Sequence, residues 1–188
     1  MPMQDLALTG RLLIAMPGLA GSEFVRSVIY ICAHSEEGAM GLIVNRPLAR
    51  PQFSELVETL NLGASPPTKN IPVCSGGPVE QGRGFVLHSS DWRIDETLEV
   101  DDGHAMTASL DVLRAIAEGQ GPRRCILALG YTGWGAGQVE SEINGNLWLS
   151  GPADDAILFD RSPETKWRRS LARIGIDPAA LSGDAGHA

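Results

Sequence analysis

Positive charge is scarce in this chain of 188 residues. It has 15 Lys and Arg against 23 Asp and Glu, so its net charge is −8 at pH 7 and its pI is near 4.9. Such a chain has no overall positive field to draw it onto a phosphate backbone or an anionic lipid surface. We therefore do not expect direct binding to nucleic acid, which would need a local basic patch.

Cysteine and long apolar runs are also scarce. The three cysteines, at positions 32, 74 and 125, are too few and too widely spaced for a disulfide framework or a zinc-binding pattern. The longest uncharged stretch, residues 12–22, is far shorter than the ~20 apolar residues that span a bilayer. Asp5 stands where a secretory signal carries basic residues. We expect a cytoplasmic protein outside the membrane, with no metal and no cofactor.

Glycine is abundant, with 22 residues, and 12 prolines accompany it. Short β-branched apolar runs between these residues predict strands at residues 11–16, 28–33, 40–44, 71–74, 84–88, 124–130 and 146–149. Helical spacing predicts helices at residues 53–60, 106–117 and 163–174. Because short loops such as residues 35–38 join consecutive strands, we predict an α+β fold with a mixed sheet. We expect a single domain over residues 1–188, with a frayed tail at 181–188.

The most unusual segment is the glycine-rich run at residues 130–143, which follows a predicted strand. Its glycines allow the backbone to approach a ligand closely, and a helix is predicted to begin near Gln138. The segment has no Walker lysine and does not fit G-x-G-x-x-G, so nucleotide binding is not supported. Two interpretations remain: a ligand-binding loop, or a tight turn that packs Tyr131 and Trp134.

Two other segments have the character of binding loops. The turn at residues 76–78 is Gly-Gly-Pro, and Asn45 and Arg46 end a predicted strand before a proline. The guanidinium of Arg46 can bind a carboxylate or phosphate in a fork, or it can form an internal salt bridge. We predict one ligand-binding cleft lined by Asn45, Arg46, Gly76, Gly77, Pro78, Tyr131, Gly133, Trp134 and Gln138.

The candidates for catalysis are weaker. His34 and His88 each follow an apolar strand, and with Gln138, Glu142 and the thiol of Cys32 they supply the groups of a general acid/base or thiol centre. The alternative is that the histidines satisfy backbone groups at strand ends and the thiols pack as small hydrophobic groups. The sequence contains neither the H-E-x-x-H pattern of zinc enzymes nor a G-x-S-x-G elbow.

One basic cluster lies near the carboxyl end, interleaved with Trp167 and flanked by acids. It either contacts the phosphates of a nucleic acid or forms an ordinary solvated helix face. Its members are Arg161, Lys166, Arg168, Arg169 and Arg173.

Taken together, these segments resemble the YqgE/AlgH family over residues 9–177. The resemblance is carried by GRLLIAMP at 10–17, FVRSVIY at 24–30, His34, GAMGLIVNRP at 38–47, GGPV at 76–79, LH at 87–88 and LGYTGWGAGQ at 129–138. It implies an α+β fold whose mixed, strongly bent sheet forms a partial barrel with helices packed outside. Members are often labelled transcriptional regulators, and no settled catalytic residues accompany that label.

Residues and resemblance together favour a cytoplasmic module that binds an unidentified small molecule or protein partner and affects transcription indirectly. One alternative is an enzyme of unidentified reaction that uses His34, His88 and Glu142 or the thiol. A second alternative is a regulator that binds DNA directly through the basic cluster.

Overall fold

The computed structural model of the chain describes residues 7–63, 66–67 and 69–185. Its strands are β1 (Arg11–Ala15), β2 (Val28–Ser35), β3 (Gly38–Ile43), β4 (Val73–Ser75), β5 (Val79–Ser89), β6 (Leu98–Glu99), β7 (His104–Thr107), β8 (Cys125–Trp134) and β9 (Trp148–Pro152). Its α-helices are α1 (Phe53–Thr59), α2 (Leu110–Ala117), α3 (Gln138–Asn144), α4 (Asp155–Phe159), α5 (Lys166–Arg173) and α6 (Pro178–Ala185).

Contacts along the chain define two compact units. The first comprises Met1–Asn45 and Gly133–Ala188, and the second comprises Arg46–Thr132. The single domain expected over residues 1–188 stays a prediction. The expected frayed tail falls partly outside the described residues, although α6 extends to Ala185.

The first unit contains four antiparallel strands in the order β3-β2-β1-β9. The short loop at residues 35–38 joins β2 and β3 in a tight hairpin, in which Ser35 pairs with Gly38, as predicted. A bulge between Ile31 and Ala33 bends β2. The apolar faces of these strands bury Leu13, Ile29, Ile31, Ile43 and Trp148, against which Val139 of α3 packs. This core holds the glycine-rich segment in place.

The second unit contains the strand order β6-β7-β5-β8-β4. β4 runs parallel to β8, whereas β5 is antiparallel to both β7 and β8, so the sheet is mixed. A register shift between Val79 and Gly84 bends β5. Helices α1 and α2 supply Phe53, Val57, Val112, Leu113 and Ile116 to the core of this unit. The predicted α+β class with a mixed sheet is confirmed.

The predicted helix at residues 106–117 is wrong in its first part. Met106 lies in β7, opposite Leu87 of β5, and the helix begins only at Leu110. Its cap is Ser109, whose hydroxyl accepts the N–H of Asp111 at 3.0 Å. Met106 lies four positions before Leu110, which is the spacing of residues on one face of a helix. Its actual partner is on the neighbouring strand of the sheet, so the spacing alone was misleading.

Candidate functional site

His34, at the outer end of β2, is held by two partners within the first unit. Its Nε2 lies 2.8 Å from Oε2 of Glu140 on α3, and its Nδ1 lies 3.3 Å from the backbone nitrogen of Leu8. Because the backbone N–H can only donate, Nδ1 accepts and Nε2 donates its proton to the carboxylate. Burial raises the pKa of Glu140, but the bond from His34 opposes it and the pKa lies below its usual value. Both ring nitrogens of His34 are therefore engaged.

Glu142 is the centre of a hydrogen-bonded cluster on α3. Its Oε1 accepts the indole N–H groups of Trp134 at 3.0 Å and of Trp148 at 2.9 Å, and its Oε2 accepts Nε2 of Gln138 at 3.0 Å. The Oε1 of Gln138 in turn accepts the N–H of Gly135 at 2.9 Å. Of the predicted site residues, the structure thus brings together Trp134, Gln138 and Glu142, and the contacts they make fix the glycine-rich loop.

The side chain of Asn45 fastens the segment that enters β2. Its Oδ1 accepts the N–H of Val28 at 2.9 Å, and its Nδ2 donates to the carbonyl of Arg26 at 2.9 Å. Arg46 belongs to the second unit, where its carbonyl accepts the N–H of Ser75 at 2.8 Å. Partial burial lowers the pKa of Arg46. Both residues hold backbone in place, and their role in ligand binding stays a prediction.

The Gly-Gly-Pro turn packs directly against the backbone of β8. Gly77 has φ +151°, and a Cβ there would lie 2.3 Å from the carbonyl oxygen of Tyr131. Gly130 has φ +80°, and a Cβ there would lie 2.5 Å from the oxygen of Gly77. Thr132 donates its hydroxyl to the carbonyl of Gly76 at 3.1 Å. These glycines are required because two backbones approach more closely than any side chain allows.

Other predicted ligand-binding residues near these glycines differ in exposure. Pro78 and Gly133 are exposed, whereas Tyr131 is half-buried. The ring of Tyr131 packs edge to face on Phe85 with the centroids 5.5 Å apart. Binding of a ligand by this turn and loop stays a prediction.

His88 lies fully buried on β5. Its Nδ1 donates to the carbonyl of Ser89 at 2.8 Å, and its Nε2 accepts the hydroxyl of Thr107 at 2.8 Å. The Thr107 oxygen lies 2.8 Å from Oγ1 of Thr97, which also accepts the N–H of Ile94 at 3.0 Å. Burial lowers the pKa of His88, although the Ser89 carbonyl and the charge of Asp91 oppose this effect. The ring is neutral and fully bonded within the second unit.

None of the three cysteines forms a disulfide within the described part of the chain, and all three are buried. Burial raises the pKa of Cys32 to about 12. Because the thiolate is the nucleophilic form, this shift keeps Cys32 in its unreactive protonated form at pH 7. This thiol packs as a small hydrophobic group, which agrees with the structural alternative.

The basic cluster near the carboxyl end is engaged within its own unit. Lys166 is buried, and its Nζ donates to two backbone carbonyls at 3.1 Å each. Arg169 forms an ion pair with Asp160 at 3.1 Å, and Arg173 forms one with Asp154. Three of the five positive charges thus stabilise the packing of α5 and its neighbours.

A cavity that the sequence did not reveal lies inside the second unit. It has a volume of about 270 Å³ and opens between α1, α2 and the first half of β5. Val86 and the cap residue Ser109 line it together with six leucines, Leu56, Leu60, Leu110, Leu113, Leu127 and Leu129. We call this cavity the leucine groove.

The mouth of the leucine groove carries exposed apolar surface and one arginine. The exposed fraction is 44% for Leu60 at the end of α1 and 51% for Leu110 at the start of α2. Arg83 of β5 also lines the groove, with its guanidinium carbon 5.1 Å from the ring centroid of Phe85. Phe85 alternates along β5 with Gly84 and Val86, which line the groove, so the guanidinium packs on the other face of the strand and the walls of the groove are mainly apolar.

Sequence reasoning missed the leucine groove because helical spacing placed Leu60 and Leu110 in predicted helices without showing that their side chains are exposed. Their position could have indicated exposure, because each leucine lies at the end of a helix rather than on its buried face. The remaining walls come from β5 and β8, and spacing along the chain cannot show that four separate segments meet.

Metal binding and membrane insertion are two further possibilities for the described part of the chain. Among the described residues, no group of three or more His, Cys, Asp or Glu side chains has the geometry to hold a metal ion. Over the same residues, none of the helices is long and apolar enough to cross a bilayer.

Comparison with known proteins defines the family. The AlgH-like family model matches residues 12–179. The chain belongs to the AlgH-like family. A UPF0301 protein of Methylocella silvestris is 54% identical over an alignment of 189 positions, which spans 96% of this chain and 92% of that protein. A second UPF0301 protein, from Rhodospirillum rubrum, is 52% identical over 181 residues and is covered to 94%.

Two solved structures agree with the fold. The solution structure of the AlgH protein from Pseudomonas aeruginosa is 44% identical and superposes with a TM-score of 0.79, covering both chains completely. A crystal structure of a protein from Corynebacterium diphtheriae, 20% identical, gives a TM-score of 0.72 over 93% of this chain and 91% of that one, and this likeness concerns the fold alone. The resemblance to YqgE/AlgH proteins is confirmed.

Proposed function

We propose that this AlgH-like protein is a binding module without catalysis of its own, and that it receives a small apolar ligand in the leucine groove. The observation that carries the proposal is the groove itself: a cavity of about 270 Å³ with six leucines in its walls. Two of these leucines are about half exposed at the mouth. Covering them with a ligand removes apolar surface from water, at about 25 cal/mol for each Å².

The polar residues offered as catalytic candidates support binding rather than chemistry. Both nitrogens of His34 are engaged, and His88 is buried with its ring bonded on both sides. The carboxylate of Glu142 accepts three hydrogen bonds, and burial keeps Cys32 protonated. Among these groups no nucleophile faces a base, which general acid/base or thiol catalysis requires.

The charge distribution supports a ligand other than DNA. Lys166 is buried, and Arg169 and Arg173 are paired with acids, so few charges of the basic cluster are available to phosphates. Useful affinity for duplex DNA needs several such contacts. An effect on transcription would then be indirect, through the ligand or a protein that senses the bound state. The three buried cysteines form no disulfide among the described residues, which is consistent with a protein located in the cytoplasm.

The test is an NMR titration of the isotope-labelled protein with octan-1-ol, a neutral apolar probe. We expect amide shifts confined to residues around the leucine groove. Leu110→Asp should abolish these shifts, because it removes an apolar wall and places a charge at the mouth. Leu110 is half exposed and starts a helix, where an acid is well tolerated, so the fold should persist.

Leu98→Asp is the matched control. Leu98 is also exposed, at 39%, and lies in the same unit, but it does not line the groove. Shifts should therefore survive in this variant. Shifts that are absent from the wild type, or that disappear equally in both variants, contradict the proposal.

A further inference from the structure

We infer that the leucine groove receives an extended peptide segment, which lies beside Gly84 as an additional strand and places apolar side chains in the groove. The inference rests on the proposed function, since these side chains are the apolar groups that the groove binds. It names the partner as an unfolded segment of another protein, with apolar residues at two alternate positions and basic residues outside them.

Strand β5 extends beyond its neighbour β7 at the end that lines the groove. β7 ends at Thr107, which pairs with Val86 of β5. The chain then leaves the sheet, because Ser109 caps α2. Gly84, two positions before Val86, lines the groove together with Ser109. The place that a longer β7 would fill therefore belongs to the groove.

The backbone groups of Gly84 point towards this place. On β8, the N–H of Leu127 donates to the residue before β4 at 3.0 Å, and the carbonyl of Leu129 accepts from the residue after β4 at 2.8 Å. Both leucines thus direct their backbone groups away from β5. Gly84 pairs with Leu129, and Val86 pairs with Leu127. Such antiparallel pairs exchange no hydrogen bonds, so Gly84 and Val86 direct their N–H and carbonyl groups to the side of β7.

The two backbone groups of Gly84 have no hydrogen-bond partner among the residues that the structure describes. Val86 differs, because it pairs with Thr107 of β7. An unpaired donor and acceptor on a strand edge are a template for one further strand. An antiparallel residue opposite Gly84 bonds to both groups at once, whereas a purely apolar molecule bonds to neither. The backbone therefore favours a peptide.

The side chain of the peptide residue opposite Gly84 points into the groove. Opposite residues of an antiparallel pair place their side chains on the same face of the sheet. Glycine leaves its own place on that face empty. A Cβ at Gly84 would lie 3.1 Å from Cδ1 of Leu127 and 3.8 Å from Cδ2 of Leu129. The incoming side chain therefore packs against these leucines.

The volume of the groove sets the number of side chains that enter it. Its volume of about 270 Å³ is roughly nine times the ~30 Å³ that one water molecule occupies in the liquid. A methyl or methylene group is of similar size, so the groove takes about eight or nine carbons, the content of two leucine side chains. Because alternate residues of a strand share a face, one residue separates the two apolar positions.

The charge of the protein favours a basic peptide. Two ion pairs lie on segments that line the groove, Arg83 with Glu80 on β5 and Arg114 with Asp111 on α2, and each pair is neutral overall. The net charge of −8 therefore acts on the peptide through the long-range field of the whole protein. This field attracts Lys and Arg at the ends of the peptide, and salt screens the attraction.

The experiment is an NMR titration of the full chain with the capped peptide Ac-Lys-Ser-Leu-Thr-Leu-Ser-Lys-NH2. We expect amide shifts around the leucine groove. We also expect the amide proton of Gly84 to exchange rapidly in the free protein, because it is unbonded. At about 90% saturation its exchange should slow about tenfold, since only the free fraction exchanges.

Two methylated peptides separate strand pairing from simple apolar contact. Methylation of the backbone nitrogens of both leucines keeps their side chains but removes the N–H groups that face β5, so binding should weaken about tenfold or more. Methylation of the threonine and of the serine after it is the matched control. The N–H groups of these residues point away from β5 in the bound strand, so this peptide should bind within about threefold of the parent.

A fourth peptide tests the charge. Replacing both lysines of the parent peptide by glutamate should weaken binding at about 10 mM salt, and the difference should shrink at about 500 mM salt. Equal binding of the two peptides at low salt overturns the basic character of the partner.

The outcomes separate this inference from the proposed function. If octan-1-ol shifts the groove but the parent peptide does not bind, or if the two methylated peptides bind equally, the added strand is overturned and the apolar site stands. If the protein is a dimer by analytical ultracentrifugation, with a slowly exchanging Gly84 amide before peptide is added, the occupant is a second copy and the peptide is overturned. If neither octan-1-ol nor the peptide perturbs the groove, the proposed function itself fails.

Discussion

His88 shows how one buried residue ties stability to pH. Its ring accepts a hydrogen bond from the Thr107 hydroxyl and donates one to the carbonyl of Ser89, so a second ring proton would face a donor. Burial already lowers the pKa of His88. The folded state therefore binds this proton less readily than the unfolded chain, in which the group titrates at its ordinary value near 6.5.

We predict that His88 contributes stability that is complete above about pH 6.5 and is lost as the pH falls below it. The sign follows because the unfolded chain takes up the proton first. The slope contributed by this one group is at most about 1.4 kcal/mol per pH unit. Urea unfolding between pH 7.5 and about pH 5 should give a smaller slope for His88→Asn than for the wild type.

Acidic groups titrate at lower pH than His88 and therefore do not affect this comparison. The pKa of Asp91 and that of Glu140 both lie below their usual values, so their contributions disappear only in more acidic solution. Equal slopes for the variant and the wild type between pH 7.5 and about pH 5 would contradict the role of His88.

At this scale the sequence identified residues but not their partners. It singled out His34 and Glu142 and left open whether they act chemically or structurally. The partner of His34 is Glu140, 106 positions away, and the cluster of Glu142 includes Trp148 beyond the end of α3. Such pairings depend on the folding of the sheet, which spacing along the chain does not encode.

At the scale of elements, the Gly-Gly-Pro turn and β8 pack against each other with no room for a side chain between them. The turn lies so close that a Cβ at position 77 would meet the oxygen of Tyr131 at 2.3 Å, with φ at +151°. Neither strain nor overlap can be relieved without moving one backbone away from the other.

Gly77→Ala should therefore destabilise the protein by about 3 kcal/mol or more, or prevent folding. Gly82→Ala is the matched control, since a Cβ there meets no atom within 4 Å and its φ is not positive. We expect the control to lie within about 0.5 kcal/mol of the wild type. Thermal melting of both variants measures the difference, and a similar loss in the two would refute the argument.

Elements were predicted well where one apolar face repeats over several residues. All seven expected strands and the helix at Gln138 are present, with ends shifted by a few residues. The short strands β6 and β7 were missed, since Met106 fits helical spacing as well as a strand. The helix α4 was also missed, because five residues give too little periodicity to recognise.

At the scale of the whole molecule, charge is the property that composition predicts most directly. The net charge of −8 is set by the sequence, and folding then engages Lys166, Arg169 and Arg173 within the first unit. The leucine groove could not be predicted from the sequence, because its walls come from four segments that only the fold brings together.

We predict that fluorescence anisotropy will detect no binding to a labelled DNA duplex at about 50 mM salt, where counterion release favours binding most. The reason is that Lys166, Arg169 and Arg173 of the basic cluster are already engaged within the protein. The protein as a whole is also acidic. An increase in anisotropy that disappears as the salt is raised would revive the model of a direct DNA-binding regulator.

The tryptophans described above have an optical consequence. Trp134 and Trp148 lie edge to face in the first unit, with centroids 6.1 Å apart, a separation at which their excited states couple and give circular dichroism in the near ultraviolet. Trp92 lies in the second unit against His88, with centroids 5.7 Å apart. The other three tryptophans all lie in the first unit. Trp92→Phe therefore leaves an emission signal that reports the melting of the first unit alone, and its difference from the wild type reports the second.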